Sequence, residues 1–235
     1  MKKKINWVKA INVFVMASLV LSIPLVAIMM IMAPNEPDPM LPFKRLKTDY
    51  ILMFLQCTVG IFAMLLPKFL HERFSIRIPA GMMLMYVIFL YCSIYLGEVR
   101  SFYYAVPYWD TILHTFSGGM LGTLGFSLIT ILNGTEKVPV NLSPIFVVIF
   151  AFCFAVTLGT IWEFYEFFAD GILGTNMQKF AFENGEKMLG RNALMDTMKD
   201  LIVDSIGAFV AAGIGYISLK YKKGWVESFL LKKDK

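Results

Sequence analysis

Charge is scarce in this chain. Only 17% of its 235 residues are Asp, Glu, Lys or Arg, where a soluble domain usually carries about a quarter. That shortfall excludes an ordinary water-facing surface. Cysteine is scarce too: Cys57, Cys92 and Cys153 all fall inside apolar runs. An odd set without metal-like spacing reads as core residues, not as a disulfide framework. No internal repeat stands out, so a transporter built from two inverted halves gains no support. No hydrolase signature is complete.

What the chain has is long apolar runs. They make up most of its 57% hydrophobic residues, and they predict an all-α, polytopic membrane helix bundle forming one integral membrane domain over residues 1–235. Six spans are expected, at about 7–32, 50–66, 78–97, 109–132, 144–170 and 196–219. The first follows a basic start, as a signal peptide would, but it is longer than an ordinary signal core and no small-residue cleavage site follows it. Pro34, Pro37, Pro39 and Pro42 make a linker after it. A short basic loop is expected over Pro67–Arg77, and a long polar connection with a short interfacial helix over Gly171–Met195. A basic, partly amphipathic tail is expected from Lys220 onward.

The bases behind the net charge of +5 lie mainly between and beyond the spans, which argues against nucleic acid as a partner. Six spans put both termini on one side. With that side cytoplasmic, the basic residues around the N-terminus, the Pro67–Arg77 loop and the tail outnumber those outside, as the positive-inside bias requires. Both termini are therefore expected in the cytoplasm, and the protein in a bacterial plasma membrane. The Asn133-Gly-Thr sequon then falls inside and reads as chance.

This orientation brings ionisable groups on three spans to one depth. On the fourth, Asp110, His114, Gly118, Gly122 and Gly125 share a helical face. On the fifth, Gly159, Glu163, Glu166 and Asp170 do so. On the sixth, Asp200 and Asp204 precede Ala208, Ala211 and Gly215. Each face is acidic toward the outside and small toward the inside. Small residues let helix backbones approach closely. A charge at mid-bilayer costs about 2.5–3.5 kcal/mol on insertion scales, so such groups face a site or one another.

Blander readings exist for several of these residues. Asp110 and Asp196 could each cap a helix start, and Asp170 could be solvated. Ser117 after His114 suggests a serine hydrolase, but a pair at that spacing is common by chance. Trp162, Phe164, Tyr165, Phe167 and Phe168 read as an interfacial belt more than as a ligand stack. Arg191 and Lys199 are the nearest cations in sequence.

The pattern Trp109-Asp110-xxx-His114, Trp162-Glu163-xx-Glu166 and Asp196-xxx-Asp200 with Gly207-Ala208 resembles the YjdF-like family of bacterial inner-membrane proteins. More loosely it is similar to VanZ-like proteins, which share an Asp-xxx-His helix and a late Asp-rich helix ending in Gly. The first resemblance implies no activity; the second implies a link to the cell envelope.

The leading reading is an outward-facing pocket in which Asp110, His114, Glu163, Glu166, Asp200 and Asp204 bind a divalent cation, Mg²⁺, Ca²⁺, Mn²⁺ or Zn²⁺. Its ligand would be a lipid or envelope-precursor headgroup. If the protein is an enzyme, it is a metal-assisted hydrolase or transferase with His114 or Glu163 as general base. The alternatives are a cation- or proton-coupled transporter and a structural or regulatory membrane protein.

Overall fold

A computed structural model describes residues 7–36, 45–133, 142–182, 186–221, 223–224 and 229–233. The basic N-terminus, most of the proline linker, the last two sequon residues and much of the tail lie outside this set. The chain is almost entirely helical. Six helices are long and apolar enough to cross a membrane: α1 (Trp7–Met32), α2 (Lys47–Phe74), α3 (Ala80–Leu90) with its π-helical continuation Tyr91–Val99, α5 (Trp109–Asn133), α6 (Pro144–Leu173) and α7 (Arg191–Lys220). A single turn, α4 (Phe102–Ala105), joins α3 to α5.

The first and fourth spans fall where the apolar runs predict them. The second is longer than expected: the helix runs through Pro67, and no loop begins there. Proline removes the N–H that would bond the carbonyl four residues back. Here the Tyr86 hydroxyl donates to that carbonyl, on Ala63, at 2.8 Å, so the turn continues with its acceptor satisfied. The third span reaches Val99 because the helix widens into a π segment. Trp109 Nε1 reaches back to donate to the Cys92 carbonyl at 3.3 Å.

The fifth helix starts as its sequence signals. Ser143 Oγ accepts from the Phe146 amide at 3.3 Å with Pro144 in the first turn. It ends beyond Asp170, at Gly174, whose φ of 66° suits a residue without a side chain. The sixth begins earlier than expected, at Arg191. No interfacial helix lies among the described residues between them; the connection is instead an extended strap closed by a bridge between Ala181 and Lys187.

The helices pack as two groups. In the first, Val15, Leu19, Cys57, Met64, Val87, Leu90 and Ile94 from α1, α2, α3 and the π segment form one core. In the second, α5, α6 and α7 pack mutually through small residues. A Cβ on Gly118 would overlap the Asp204 carbonyl, and one on Gly207 would overlap the Thr115 carbonyl. The backbones of α5 and α7 thus touch where the two glycines interlock. A Cβ on Gly125 would lie 2.8 Å from Ala151 Cα on α6. At the far end of this group the tail returns: β2 (Lys232–Lys233) pairs antiparallel with β1 (Ile76–Arg77), and the Leu231 amide donates to Ser127 Oγ at 3.1 Å.

Candidate functional site

Asp110 and His114 stand one turn apart near the start of α5, and α7 lays Asp200 and Asp204 against them. His114 Nδ1 lies 3.3 Å from Asp204 Oδ2. Its Nε2 lies 3.6 Å from Asp110 Oδ1 and 3.9 Å from Asp200 Oδ2. Nδ1 is thus engaged by Asp204 while Nε2 faces the other two acids. A carboxylate on one ring nitrogen that orients the other toward a metal is a recurrent arrangement in metal sites. One ligand atom from each of Asp110, His114 and Asp200 can be chosen so that all lie within 4.8 Å of one another. Asp204 sits one bond behind them.

The close helix packing makes this approach feasible. Gly159 on α6 leaves room for Asp204: a Cβ there would lie 2.9 Å from Asp204 Oδ2. Ser117 Oγ donates to Asp204 Oδ1 at 2.7 Å. Its other near acceptor is the His114 carbonyl at 2.8 Å; neither is the imidazole that a nucleophilic serine uses as its base, so the geometry gives the serine-hydrolase reading no support.

Glu163 and Glu166 on α6 are both buried but differ in partners. Glu166 Oε1 accepts from Trp162 Nε1 at 2.8 Å. Glu163 is 4% exposed and lies beside the Thr197 hydroxyl, but neither of its carboxyl oxygens makes a well-formed hydrogen bond among the described residues; Asp200 Oδ1 makes none either. Neither glutamate belongs to the tight Asp110–His114–Asp200 group.

Asp170, on the same face in the sequence pattern, is drawn away. Its Oδ1 accepts from Thr175 Oγ1 at 2.6 Å and the Met177 amide at 2.7 Å, and its Oδ2 from the Gln178 amide at 2.9 Å. It is neither solvated nor part of the cluster; it anchors the strap. Asn176 continues the strap's order, exchanging two hydrogen bonds with the Ala181 backbone.

The strap delivers what the sequence pattern did not single out. Lys179, with φ of 46°, sends its ammonium onto Asp110 Oδ2, 3.7 Å from Asp196 Oδ2 and 5.3 Å from the centre of the Tyr103 ring. Burial opposes its charge, but the carboxylates of Asp110 and then Asp196 outweigh that, and its pKa stands above the ordinary lysine value. Among the described residues the cation bonded to the cluster is Lys179; of the two cations nearest in sequence, Arg191 is exposed and Lys199 acts on Asp196 from farther away.

A cavity of about 340 Å³ opens beside the cluster, on the seam between the two helix groups. Its polar end includes Glu98, Asp110, His114, Glu166, Lys179 and Asp204; Leu52, Val59, Ala63, Phe89 and Leu121 line its apolar part. Glu98 is the second residue the sequence reading missed. It lies just past the expected end of the third span, and the π segment carries it to the cavity wall. Its one signal was position, as a lone acid closing an apolar run. The aromatic set of α6 divides: Trp162 lines the cavity, while Phe164, Phe167 and Phe168 are exposed on the outer surface of the bundle.

Comparison with known proteins gives a family and no activity. Residues 14–221 match the family model described as "Predicted membrane protein (DUF2238)". An "Uncharacterized protein" of Thermotoga maritima is 29% identical over 165 residues, which cover 68% of this chain and 76% of that one. No solved structure matches.

Proposed function

We propose, from the premise that this chain belongs to the DUF2238 family of predicted membrane proteins, that it binds a divalent cation and a lipid or envelope-precursor headgroup in an outward-facing pocket of the bacterial plasma membrane. The observation that carries this reading is the grouping of Asp110, His114 and Asp200 within 4.8 Å, with Asp110 and His114 at the polar end of an otherwise apolar cavity and Asp200 beside it. A site of that form suits an amphiphile, whose head needs charge and whose chain needs hydrocarbon. Oxygen donors with one imidazole suit Mn²⁺ or Mg²⁺ and admit Zn²⁺.

In this reading Asp110, His114 and Asp200 hold the ion, and Asp204 orients the imidazole. Glu163 is buried beside the Thr197 hydroxyl and is the candidate general base, should the bound headgroup be hydrolysed or transferred. Glu166, held by Trp162, faces the cavity as a ligand for the head. The envelope link draws on the VanZ-like resemblance of the Asp110–His114 pair and of α7.

Transport would need a polar path through the other half of the bundle. There α5, α6 and α7 meet through Gly122, Gly125, Ala151, Ala208 and Ala212, and no observation favours that alternative.

The test is metal analysis of the purified protein and Mn²⁺ titration followed by electron paramagnetic resonance. A stoichiometric site lost in Asp110→Asn supports the reading; no bound metal and no Mn²⁺ affinity would sink it. Orientation is tested by labelling a cysteine at the exposed Lys187 in intact cells. Labelling only after permeabilisation would put the pocket on the cytoplasmic side.

A further inference from the structure

The cluster is rich in acid and poor in base. Glu98, Asp110, Glu166 and Asp204 line the cavity, and Asp196 and Asp200 stand beside it on Lys179 and His114. Among the described residues, Lys179 and His114 stand against these within the cluster, with Arg45 acting on Glu98 and Lys199 on Asp196 from farther away. Buried carboxylates without compensating charge are costly, and Asp200, at 1% exposure, keeps one oxygen without a hydrogen-bond partner among the described residues. An anionic head on its own would meet repulsion here.

One charged group of this chain already sits at the polar end of the cavity. A lysine side chain is a short alkylamine. The Lys179 ammonium rests on Asp110, near Asp196, over the face of Tyr103. Carboxylates with an aromatic face are a recognition set for ammonium groups. Tyr104 and Trp162 add two more aromatic rings to the same cavity. From this polar end the apolar walls of α2 and α3 run on, with Leu52, Val59 and Phe89. At about 340 Å³ the space is near the lower limit of ligand pockets and suits one chain.

We infer that the natural ligand of the cavity is a single-chain amphiphile with an ammonium head, and that Lys179 is a tethered occupant of the head's position. This rests on the reading of the cavity as a headgroup pocket and specifies the head. The strap carrying Lys179 has its own anchor at Asp170, so withdrawal of the lysine side chain need not unfold it. The ligand's ammonium replaces the lysine's on Asp110 Oδ2 and Asp196 Oδ2, leaving Asp110 Oδ1, which faces His114, to the ion; one monovalent cation exchanges for another with no change in the charge of the site.

The experiment uses the full chain in a neutral detergent and three probes: dodecylammonium, dodecanol and dodecyl phosphate, the last with and without Mn²⁺. Binding is read by isothermal titration calorimetry. Dodecylammonium should saturate one site and bind about tenfold or more tighter than dodecanol, the difference expected of hydrogen bonds to charged groups. Lys179→Gln should tighten dodecylammonium binding, because the tethered competitor is gone, and Glu166→Gln should weaken it. If dodecyl phosphate binds with Mn²⁺ while dodecylammonium does not, the ammonium inference falls and the headgroup pocket stands. If no probe binds, both fall. Equal affinity for dodecanol and dodecylammonium also overturns the inference, since the chain alone would then account for binding. An unchanged or weakened affinity in Lys179→Gln overturns the role given to the lysine. The wild-type selectivity can be measured even if either variant fails to fold.

Discussion

The two helix groups solve one packing problem in opposite ways. Around α1, α2 and α3 the buried residues are large: Leu19, Met64, Val87, Leu90 and Ile94 fill space with side chains. Around α5, α6 and α7 the helix contacts run through Gly118, Ala151, Ala155, Gly159, Gly207, Ala208 and Ala212, with Phe126, Ile129 and Val147 filling the end by the tail and Glu163, Glu166, Asp200 and Asp204 at the other. In a bilayer, lipid is as apolar as leucine, so bulky apolar residues give helices little preference for one another. Small residues bring backbones into contact and hold them in a defined register. That register lets side chains from two helices meet within 3.9 Å at His114. The first group walls the cavity; the second group supplies most of its chemistry.

The largest expected effect is on the chemistry of the second group. His114→Ala and Asp200→Asn should each abolish Mn²⁺ binding, a loss of about 100-fold or more, while the protein still inserts and melts cooperatively. Retained affinity in both would reduce α5–α7 to a packing unit. Glu163→Gln keeps shape and loses ionisation, and it should leave Mn²⁺ affinity nearly intact, since Glu163 stands outside the tight group.

Next comes bulk in the first group. Leu19 is fully buried against Val15 and Cys57, and Leu19→Ala should cost about 2–5 kcal/mol, read as a lowered melting temperature in detergent. In α5–α7 Phe126, Ile129 and Val147 are the buried residues of that size, and at the glycine contacts the sensitive change runs the other way. Gly118→Leu should cost about 1–3 kcal/mol or more through overpacking against Asp204. Gly213 has nothing within 4 Å of a Cβ, so Gly213→Leu should change stability by less than about 0.5 kcal/mol. Equal melting temperatures for Gly118→Leu and Gly213→Leu would remove the contrast between the groups.

The smallest effect concerns the strap. The pKa of Lys179 is raised in the folded protein by Asp110 and Asp196. A raised lysine contributes stability that is fully present below its unfolded pKa, about 10.4, and lost as pH rises through the folded value. The difference in melting temperature between wild type and Lys179→Gln should therefore stay constant from about pH 7 to 9 and shrink only above about pH 10.4. A difference that fades already near neutrality would mean that the lysine is not the group responsible.

Helical period explains how much could be read from the chain. Within a helix the backbone hydrogen bonds are local, so spacing alone puts Asp110 with His114 and Asp200 with Asp204, and hydropathy alone places six spans. Apolar length also fixes which helix ends share a depth, once neighbouring spans run antiparallel. Three features escaped this logic. Lys179 lies in a connection without periodicity, and it reaches the cluster only because Asp170 folds the strap back. Asp170 itself obeys the spacing of its face yet belongs to the strap. Glu98 faces the cavity because the helix has widened into a π turn, which shifts every later side chain off the 3.6-residue period.

By itself, then, the sequence determined the membrane class, the spans and the acidic and small faces of three helices, because each depends on contacts within a few residues. Only the tertiary structure decided which acids share the imidazole, which cation reaches them, and that the cavity lies on the seam between a bulky group and a small one. Those depend on contacts between residues as far apart as His114 and Asp204. No local period encodes such distances; they follow from how closely the glycines of α5 and α7 allow two backbones to approach.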